Sequence, residues 1–259
     1  MGYYIDMAED NTPITGKKIF FIHPSAFVQN EIISDLIQQE HEVYITKDEK
    51  KLKTVLKKNP DSIVFASVDE GISADKWEAW IRGILDDQAT KNVGIGILSN
   101  TNSDDARQLY VNTIKVSCGF IPVKLGTAKV ITALLDILKA VDARGRRKYI
   151  RADTRGEVMT TLNVPHNNDY IIGQIQDISV VGISCLFSQD PGLEKNSLMT
   201  DMQIKLQSVL LKAEGIVFGS RQDGANKVYV FLFTQRLDPM VRSKIRTYIQ
   251  KNLQSKIDL

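Results

Sequence analysis

Two groups of polar residues near the middle of the chain have the types and spacing needed to recognise a nucleotide. Arg147 and Arg151 are spaced as RxxxR, and Asp177, Ser179 and Gly182 follow as DxSxxG. Each guanidinium stays charged and presents a planar fork of donors that fits phosphate oxygens or a purine edge. The second group offers a carboxylate, a hydroxyl and a glycine on what the pattern indicates is a turning strand. The glycine lets the backbone approach without a Cβ, so the set suits a ligand with both phosphate and guanine.

The segment around RxxxR is strongly basic. Five of the eight residues from 144 to 151 are Arg or Lys. Arg146 is a candidate for a further purine or phosphate contact, and Arg144 is a weaker candidate. Tyr149 and Ile150 lie between the two motif arginines, and we expect them to anchor the segment instead of touching ligand. A solvated, flexible linker is the alternative that a basic run of this kind allows.

Composition restricts the function classes. The 259 residues suffice for one large domain or two ordinary ones, and 43% hydrophobic with 25% charged residues is typical of a globular protein. A net charge of +2 is too small for a protein that coats nucleic acid, so a basic site must be local. The sequence shows no secretory signal and no apolar run long enough to span a bilayer. The isolated Cys118 and Cys185 favour a cytoplasmic protein with reduced thiols, and the scattered histidines predict no metal site.

The first half alternates apolar runs with amphipathic stretches. Five runs, separated by helical spacing, predict five parallel strands with helices on both faces. Pro122 lies in the fifth run and places that strand at an edge, since proline lacks the N–H of a central strand. We therefore predict an N-terminal tail over 1–16 and an α/β domain over 17–141. The predicted strands are Ile19–Ile22, Glu42–Thr46, Ile63–Ala66, Val93–Leu98 and Phe120–Val123.

This layout resembles a response-regulator receiver domain, although its chemical residues differ. Ala66 stands where a receiver has its phosphoacceptor aspartate, and His23-Pro24 follows the first strand where acidic magnesium ligands are expected. Asp69 is a fallback acceptor three positions late. The resemblance therefore implies a degenerate, receiver-like module for partner docking or dimerisation. An unrelated α/β domain without a ligand is the alternative.

After Arg151 the apolar period changes to two. About six short strands separated by turn residues predict a small antiparallel barrel over 152–259. Arg221-Gln222-Asp223-Gly224 is a hairpin signal before the last strand. The tail carries apolar residues at helical spacing and predicts a terminal helix packed on the barrel. The basic segment 142–151, which carries RxxxR, is then the linker between the two domains.

RxxxR just before the first strand of a barrel, with DxSxxG beginning 26 residues after Arg151, resembles the two-part signature of the PilZ family of bacterial cyclic di-GMP receptors. The resemblance covers about 144–259. It implies a six-stranded barrel with a terminal helix, cyclic di-GMP as ligand, no cofactor and no catalysis. Motility and biofilm regulation are outputs of the family. The ligand-binding residues that it implies are Arg147, Arg151, Asp177, Ser179 and Gly182, with Arg146 and Arg144 as further contacts.

The leading hypothesis is a non-catalytic cyclic di-GMP receptor. Ligand would order the linker and change the domain orientation, which would signal to a protein partner, with the N-terminal domain as the docking module. A ligand-independent PilZ-like adaptor is the first alternative. A phosphorylated response regulator is disfavoured by Ala66. RNA or DNA binding by the basic segment is disfavoured by the low net charge.

Overall fold

The computed structural model describes residues 15–167 and 169–257. Nearly all of the predicted tail 1–16 lies outside the described residues. The chain divides into two compact units, of which the first ends at Lys148 and the second runs from Tyr149 to Ile257. Within the described ranges, no helix combines the length and apolarity that a membrane crossing would need.

The first unit is built on a sheet of five parallel strands, as the sequence predicts. Its order is β2-β1-β3-β4-β5, the doubly wound order with one switch in direction. All four residues of the first strand are fully buried because helices cover both faces of the sheet. The fifth strand is an edge strand and contains Pro122, as expected. The strands are β1 (Ile19–Ile22), β2 (Val43–Thr46), β3 (Ile63–Ser67), β4 (Gly94–Ser99) and β5 (Phe120–Pro122).

Helical segments connect these strands, and local sequence explains where they begin. The Asp48 side chain accepts from the backbone N–H groups of Lys50 and Lys51, which caps the second helix. Ser103 caps the fourth helix in the same way by accepting from Ala106. The α-helices are α1 (Ser34–Gln38), α2 (Glu49–Lys58), α3 (Ala74–Leu85), α4 (Asp104–Arg107) and α5 (Thr127–Ala140), and π-helical segments at Val28–Ile33 and Gln108–Thr113 adjoin α1 and α4.

The second unit is a closed, six-stranded antiparallel barrel followed by a helix, which confirms the predicted fold class. The strands pair in the order β8-β7-β10-β11-β12-β9, and β9 returns to β8 to close the barrel. A two-residue strand, β6 (Ala152–Asp153), pairs with β8 beyond the end of β7, on the edge opposite β9. The barrel strands are β7 (Thr160–His166), β8 (Asp169–Ser179), β9 (Gly182–Phe187), β10 (Leu198–Leu206), β11 (Val209–Asp223) and β12 (Asn226–Phe233), and the helix is α6 (Pro239–Ser255).

One predicted strand starts later than its sequence pattern suggests. The alternation begins at Glu157, but β7 begins at Thr160. Gly156 has a φ of 86°, which turns the chain, and the Thr160 N–H donates to the Glu157 carbonyl at 3.0 Å. Residues 157–159 therefore form a turn, and Val158 is 80% exposed.

Glu157 in this turn fastens the terminal helix to the barrel. The Tyr248 hydroxyl donates to Glu157 Oε2 at 2.7 Å, and the Asn252 amide donates to Oε1. The Thr160 hydroxyl donates to Oε2 at 3.3 Å from the barrel side. Burial and the neighbouring Glu157 carboxylate raise the pKa of Tyr248 to about 12, so the phenol remains a donor at neutral pH.

We expect Glu157→Ala to lower the free energy of unfolding of the second unit by about 2–3 kcal/mol. The substitution leaves the buried Asn252 amide without its acceptor and the Tyr248 hydroxyl with only its 3.3 Å contact to Thr160, and an unsatisfied buried polar group costs on the order of 1–3 kcal/mol. Urea unfolding followed by circular dichroism measures the change. Glu194→Ala, at an exposed position of the same unit, is the control and should change stability by less than about 0.5 kcal/mol. Equal stability of the two variants would contradict the role of Glu157.

Candidate functional site

The site is built on residues 151–155, which begin at the last residue of the linker and alternate between solvent and core. Ala152 and Thr154 are fully buried, whereas Arg151, Asp153 and Arg155 are exposed. This period of two is that of a strand, in which alternate side chains point to the same side. Three charged side chains therefore emerge on one face of β6 and its flanking residues.

The second arginine of RxxxR and the aspartate of DxSxxG meet on this face. Arg151 Nη1 donates to Asp177 Oδ1 at 3.1 Å, and the two side chains are 44% and 23% exposed. The other carboxylate oxygen of Asp177, Oδ2, accepts from the hydroxyl of Ser184, which is 2% exposed. Ser184 lies directly opposite Asp177 in the register of β8 with β9. One oxygen of Asp177 thus accepts from a buried hydroxyl, and the other accepts from a partly exposed guanidinium.

A second arginine–carboxylate pair lies beside the first. Asp153 is directly opposite Asp177 in the register of β6 with β8. Arg155 Nε lies 3.0 and 3.1 Å from the two oxygens of Asp153, and its Nη2 also donates to Oδ2. The Arg155 hydrogen bond, with a further contribution from Lys256, lowers the pKa of Asp153 to about 2. Two like charges in register would repel each other, and each is neutralised by its own arginine.

The short strand β6 is fixed from three directions. The Thr154 hydroxyl donates to the Ile175 carbonyl at 2.6 Å, and the Thr154 N–H donates to the Gln176 carbonyl at 2.9 Å. At the end of α6, the Lys256 ammonium donates to the Asp153 carbonyl. Ala152 is part of the barrel core. The backbone that carries the three charged side chains is therefore a rigid part of the barrel.

Ser179 and Gly182 form the turn between β8 and β9. The Ser179 hydroxyl donates to the Gly182 carbonyl at 3.3 Å and accepts from the Val181 N–H at 3.3 Å. A Cβ on Gly182 would lie 2.3 Å from the Phe231 carbonyl oxygen, so the neighbouring strand β12 requires a glycine here. Both residues shape the hairpin that presents Asp177. Their contact with a ligand remains a prediction.

The three other predicted residues belong to the first unit, which ends at Lys148. Arg146 and Arg147 are exposed, in an irregular segment. Arg144 donates from Nη2 to the Gln39 carbonyl at 3.1 Å and lines a cavity of about 450 Å³ within the first unit. Tyr149 and Ile150 pack against the core of the second unit, which confirms that they anchor the segment.

The site contains three residues that the motif reading missed: Asp153, Arg155 and Ser184. The first two could have been found from the sequence, because the alternation puts positions 153 and 155 on the same face as Arg151. Ser184 is brought to Asp177 by the register of a hairpin, and the local pattern gives no signal for it.

The two positions of the first unit that were compared with a phosphoacceptor are Ala66 and Asp69. Ala66 is fully buried in β3. Asp69, two residues beyond that strand, accepts from the Ser99 hydroxyl at 3.4 Å and from the Asn100 N–H. The cleft beside it has a volume of about 10 Å³, which is room for one water molecule. No group of three or more His, Cys, Asp or Glu side chains suited to a metal occurs in the ranges that the structure covers.

Comparison with protein families identifies the second unit. Residues 145–251 match the family described as the PilZ domain, so this part of the chain is a PilZ domain. The match covers both halves of the motif and ends within α6. A comparison with curated proteins gave no match.

A comparison with solved structures gave matches that include the following three proteins. The PilZ domain of YcgR from Escherichia coli with c-di-GMP shares 15% identity over 43% of this chain and 93% of its own, with a TM-score of 0.38. The inhibitor of motility MotI/DgrA from Bacillus subtilis shares 14% identity over 43% of this chain and 53% of its own, with a TM-score of 0.37. The MrkH–c-di-GMP complex from K. pneumonia shares 18% over 44% and 54%, with a TM-score of 0.35. The alignments thus span about half the length of the last two proteins.

We expect the carboxyl group of Asp153 to titrate near pH 2 in the folded protein and to return toward 3.8 in Arg155→Ala. The folded pKa lies below the ordinary value, so the pair stabilises the fold above about pH 4. That contribution is lost as the pH falls toward 2. NMR titration of the side-chain carboxyl carbon measures both values. An unchanged Asp153 pKa in the variant would show that Arg155 does not hold the carboxylate in solution.

Proposed function

We propose that this protein is a non-catalytic receptor for cyclic di-GMP. The observation that carries the proposal is the ion pair between Arg151 and Asp177, which joins the two halves of the motif although they lie 26 residues apart. It occurs inside the segment that matches the PilZ family. Free, buried Cys118 and Cys185 support a reducing, cytoplasmic setting.

The strength of this ion pair suits a ligand-exchangeable contact. Its partners are 44% and 23% exposed, and partly solvated pairs of this kind contribute on the order of 0.2–1 kcal/mol. Hydrogen bonds between a guanidinium and a phosphate are stronger because both groups are charged and the geometry can be bidentate. We therefore assign Arg151 to a phosphodiester of the ligand or to the guanine O6/N7 edge, in exchange for Asp177.

When Arg151 moves from Asp177 to the ligand, Asp177 can accept hydrogen bonds from a guanine base. Ser184 keeps one oxygen of the carboxylate in place, and the oxygen that Arg151 occupies becomes available to the N1–H and N2–H donors of a guanine edge. Ser184 is thus a positioning residue. Ser179 and Gly182 set the hairpin turn from which Asp177 projects, and direct contact of Ser179 or Gly182 with the ligand is a further part of the proposal.

Ligand engagement of the linker provides the signal. Tyr149 and Ile150 pack on the core of the second unit, which holds the chain immediately before Arg151. Arg147 lies four residues before Arg151 in the sequence. We assign Arg147 to the ligand, with Arg146 as a further contact and Arg144 as a weaker one. Fixing one residue costs about 1–2 kcal/mol of backbone entropy, so several charged contacts are needed to order the segment. Ordering it would change the orientation of the two domains.

The protein partner is proposed to dock on the first unit. That unit has the strand order of a doubly wound domain, but Ala66 occupies the position of a phosphoacceptor. Phosphorylation therefore gives no account of its presence in the chain. Regulation of motility or biofilm formation is the output that the PilZ resemblance implies.

Isothermal titration calorimetry with cyclic di-GMP tests the site. We expect wild-type protein to bind and the Arg147→Ala/Arg151→Ala double variant to lose at least about 100-fold in affinity, because two charge-assisted contacts of about 1.5–3 kcal/mol each are removed. The control is Lys124→Ala/Lys129→Ala, which removes the same charge at exposed positions of the first unit and should bind as wild type does. A flat wild-type titration would favour the ligand-independent adaptor. Wild-type affinity in the double variant would refute the assignment of these arginines.

Hydrogen–deuterium exchange tests the ordering of the linker. Peptides that cover 142–151 should exchange at least about threefold more slowly with saturating cyclic di-GMP, because ordered amides are protected. Peptides from the buried strand β3 are the internal control and should not change. Tight binding without added protection between 142 and 151 would eliminate the ordering mechanism and leave the binding site intact.

A further inference from the structure

We infer that Arg155 is a third anion-binding arginine of the nucleotide site, held by Asp153 in the ligand-free protein and transferred to a ligand phosphate on binding. This inference rests on the proposed function. It adds Arg155 to the two arginines of RxxxR, so that Arg147, Arg151 and Arg155 follow one another at intervals of four residues.

The placement of Arg155 follows from the backbone. Arg151, Asp153 and Arg155 emerge on one face because Ala152 and Thr154 are buried between them. The hydrogen bonds of Thr154 to β8 hold the chain immediately before Arg155. Asp153 lies opposite Asp177, so the guanidinium held by Asp153 is next to the carboxylate that Arg151 neutralises.

The contact between Arg155 and Asp153 is suited to exchange. The two side chains are 69% and 49% exposed, more than those of the pair formed by Arg151 and Asp177. Exposed ion pairs are weak because water competes for both groups. The planar fork already binds two oxygens of one carboxylate, and the same geometry binds two oxygens of a phosphodiester.

The local charge balance makes this arginine necessary for an anionic ligand. The electrostatic environment of Arg155 contains the carboxylates of Asp153, Asp177 and Asp223. Cyclic di-GMP brings two negative charges to this face. Arg151 alone would leave the ligand facing an excess of carboxylate. With Arg155 turned to the ligand, a second guanidinium faces the phosphates, and Asp153 keeps the neighbouring Lys256 ammonium.

Calorimetric titration of the full-length chain with cyclic di-GMP tests the inference through substitutions with opposite signs. Arg155→Ala should weaken binding about tenfold or more, the scale of one charge-assisted contact. Arg155→Lys should fall between wild type and alanine, because it keeps the charge and loses the fork. Asp153→Asn should bind about two- to tenfold more tightly, because it removes both the competing acceptor and a negative charge.

The matched control is Lys212→Ala. Lys212 forms an ion pair with Asp201 at 3.2 Å, 68% and 39% exposed, on the strands β11 and β10. This variant loses one positive charge and one exposed ion pair, as Arg155→Ala does, and its affinity for cyclic di-GMP should equal that of wild type. Thermal unfolding should show every variant folded.

The outcomes separate this inference from the proposed function. If wild type does not bind, the proposed function and this inference both fail. If wild type binds and Arg155→Ala matches the Lys212→Ala control, only the role of Arg155 is refuted. Weaker binding by Asp153→Asn would refute the exchange between Asp153 and the ligand.

Discussion

The in-register pairing of the two-residue strand β6 with β8 is the constraint on which the site depends. It places Asp153 opposite Asp177 and sets Arg151 beside the second of these carboxylates. Burial of Ala152 and Thr154 enforces the register, since a shift of one residue would turn these side chains outward and the arginine inward. A large apolar core therefore specifies the position of a small polar site.

That register also brings like charges together, and the protein balances them locally. Asp153 and Asp177 are neighbours on one face, each with an arginine from the same five-residue segment. These contacts are solvent-exposed and weak individually. The opposing strand β9 contributes a buried hydroxyl from Ser184, which fixes one carboxylate oxygen without adding charge. The arrangement combines a carboxylate that is held by a buried hydroxyl with two arginines that remain partly exposed to solvent.

The sheets of the two units differ in whether both of their faces are buried. In the first unit both faces of the parallel sheet are covered and its strands are mostly apolar. At the carboxyl edge of this sheet, Asp69 accepts hydrogen bonds from Ser99 and Asn100. In the second unit the strands alternate, so every second side chain points out of the barrel, and both polar residues and exposed apolar residues such as Ile172 and Phe218 occur there. Around β6 this alternation brings Arg151, Asp153 and Arg155 to one exposed face.

The sequence by itself determined the fold class of both units, the edge position of Pro122 and the residues of the RxxxR and DxSxxG motifs. These features depend on local periodicity and residue type, which neighbouring positions reveal. Only the tertiary structure decided that Ser179 and Gly182 shape a turn, and that Ser184 supports Asp177. Those contacts arise from the register between strands and from the close approach of β12, which residues far apart in sequence set together. Backbone pairing energy and core packing choose that register, and no local pattern encodes it.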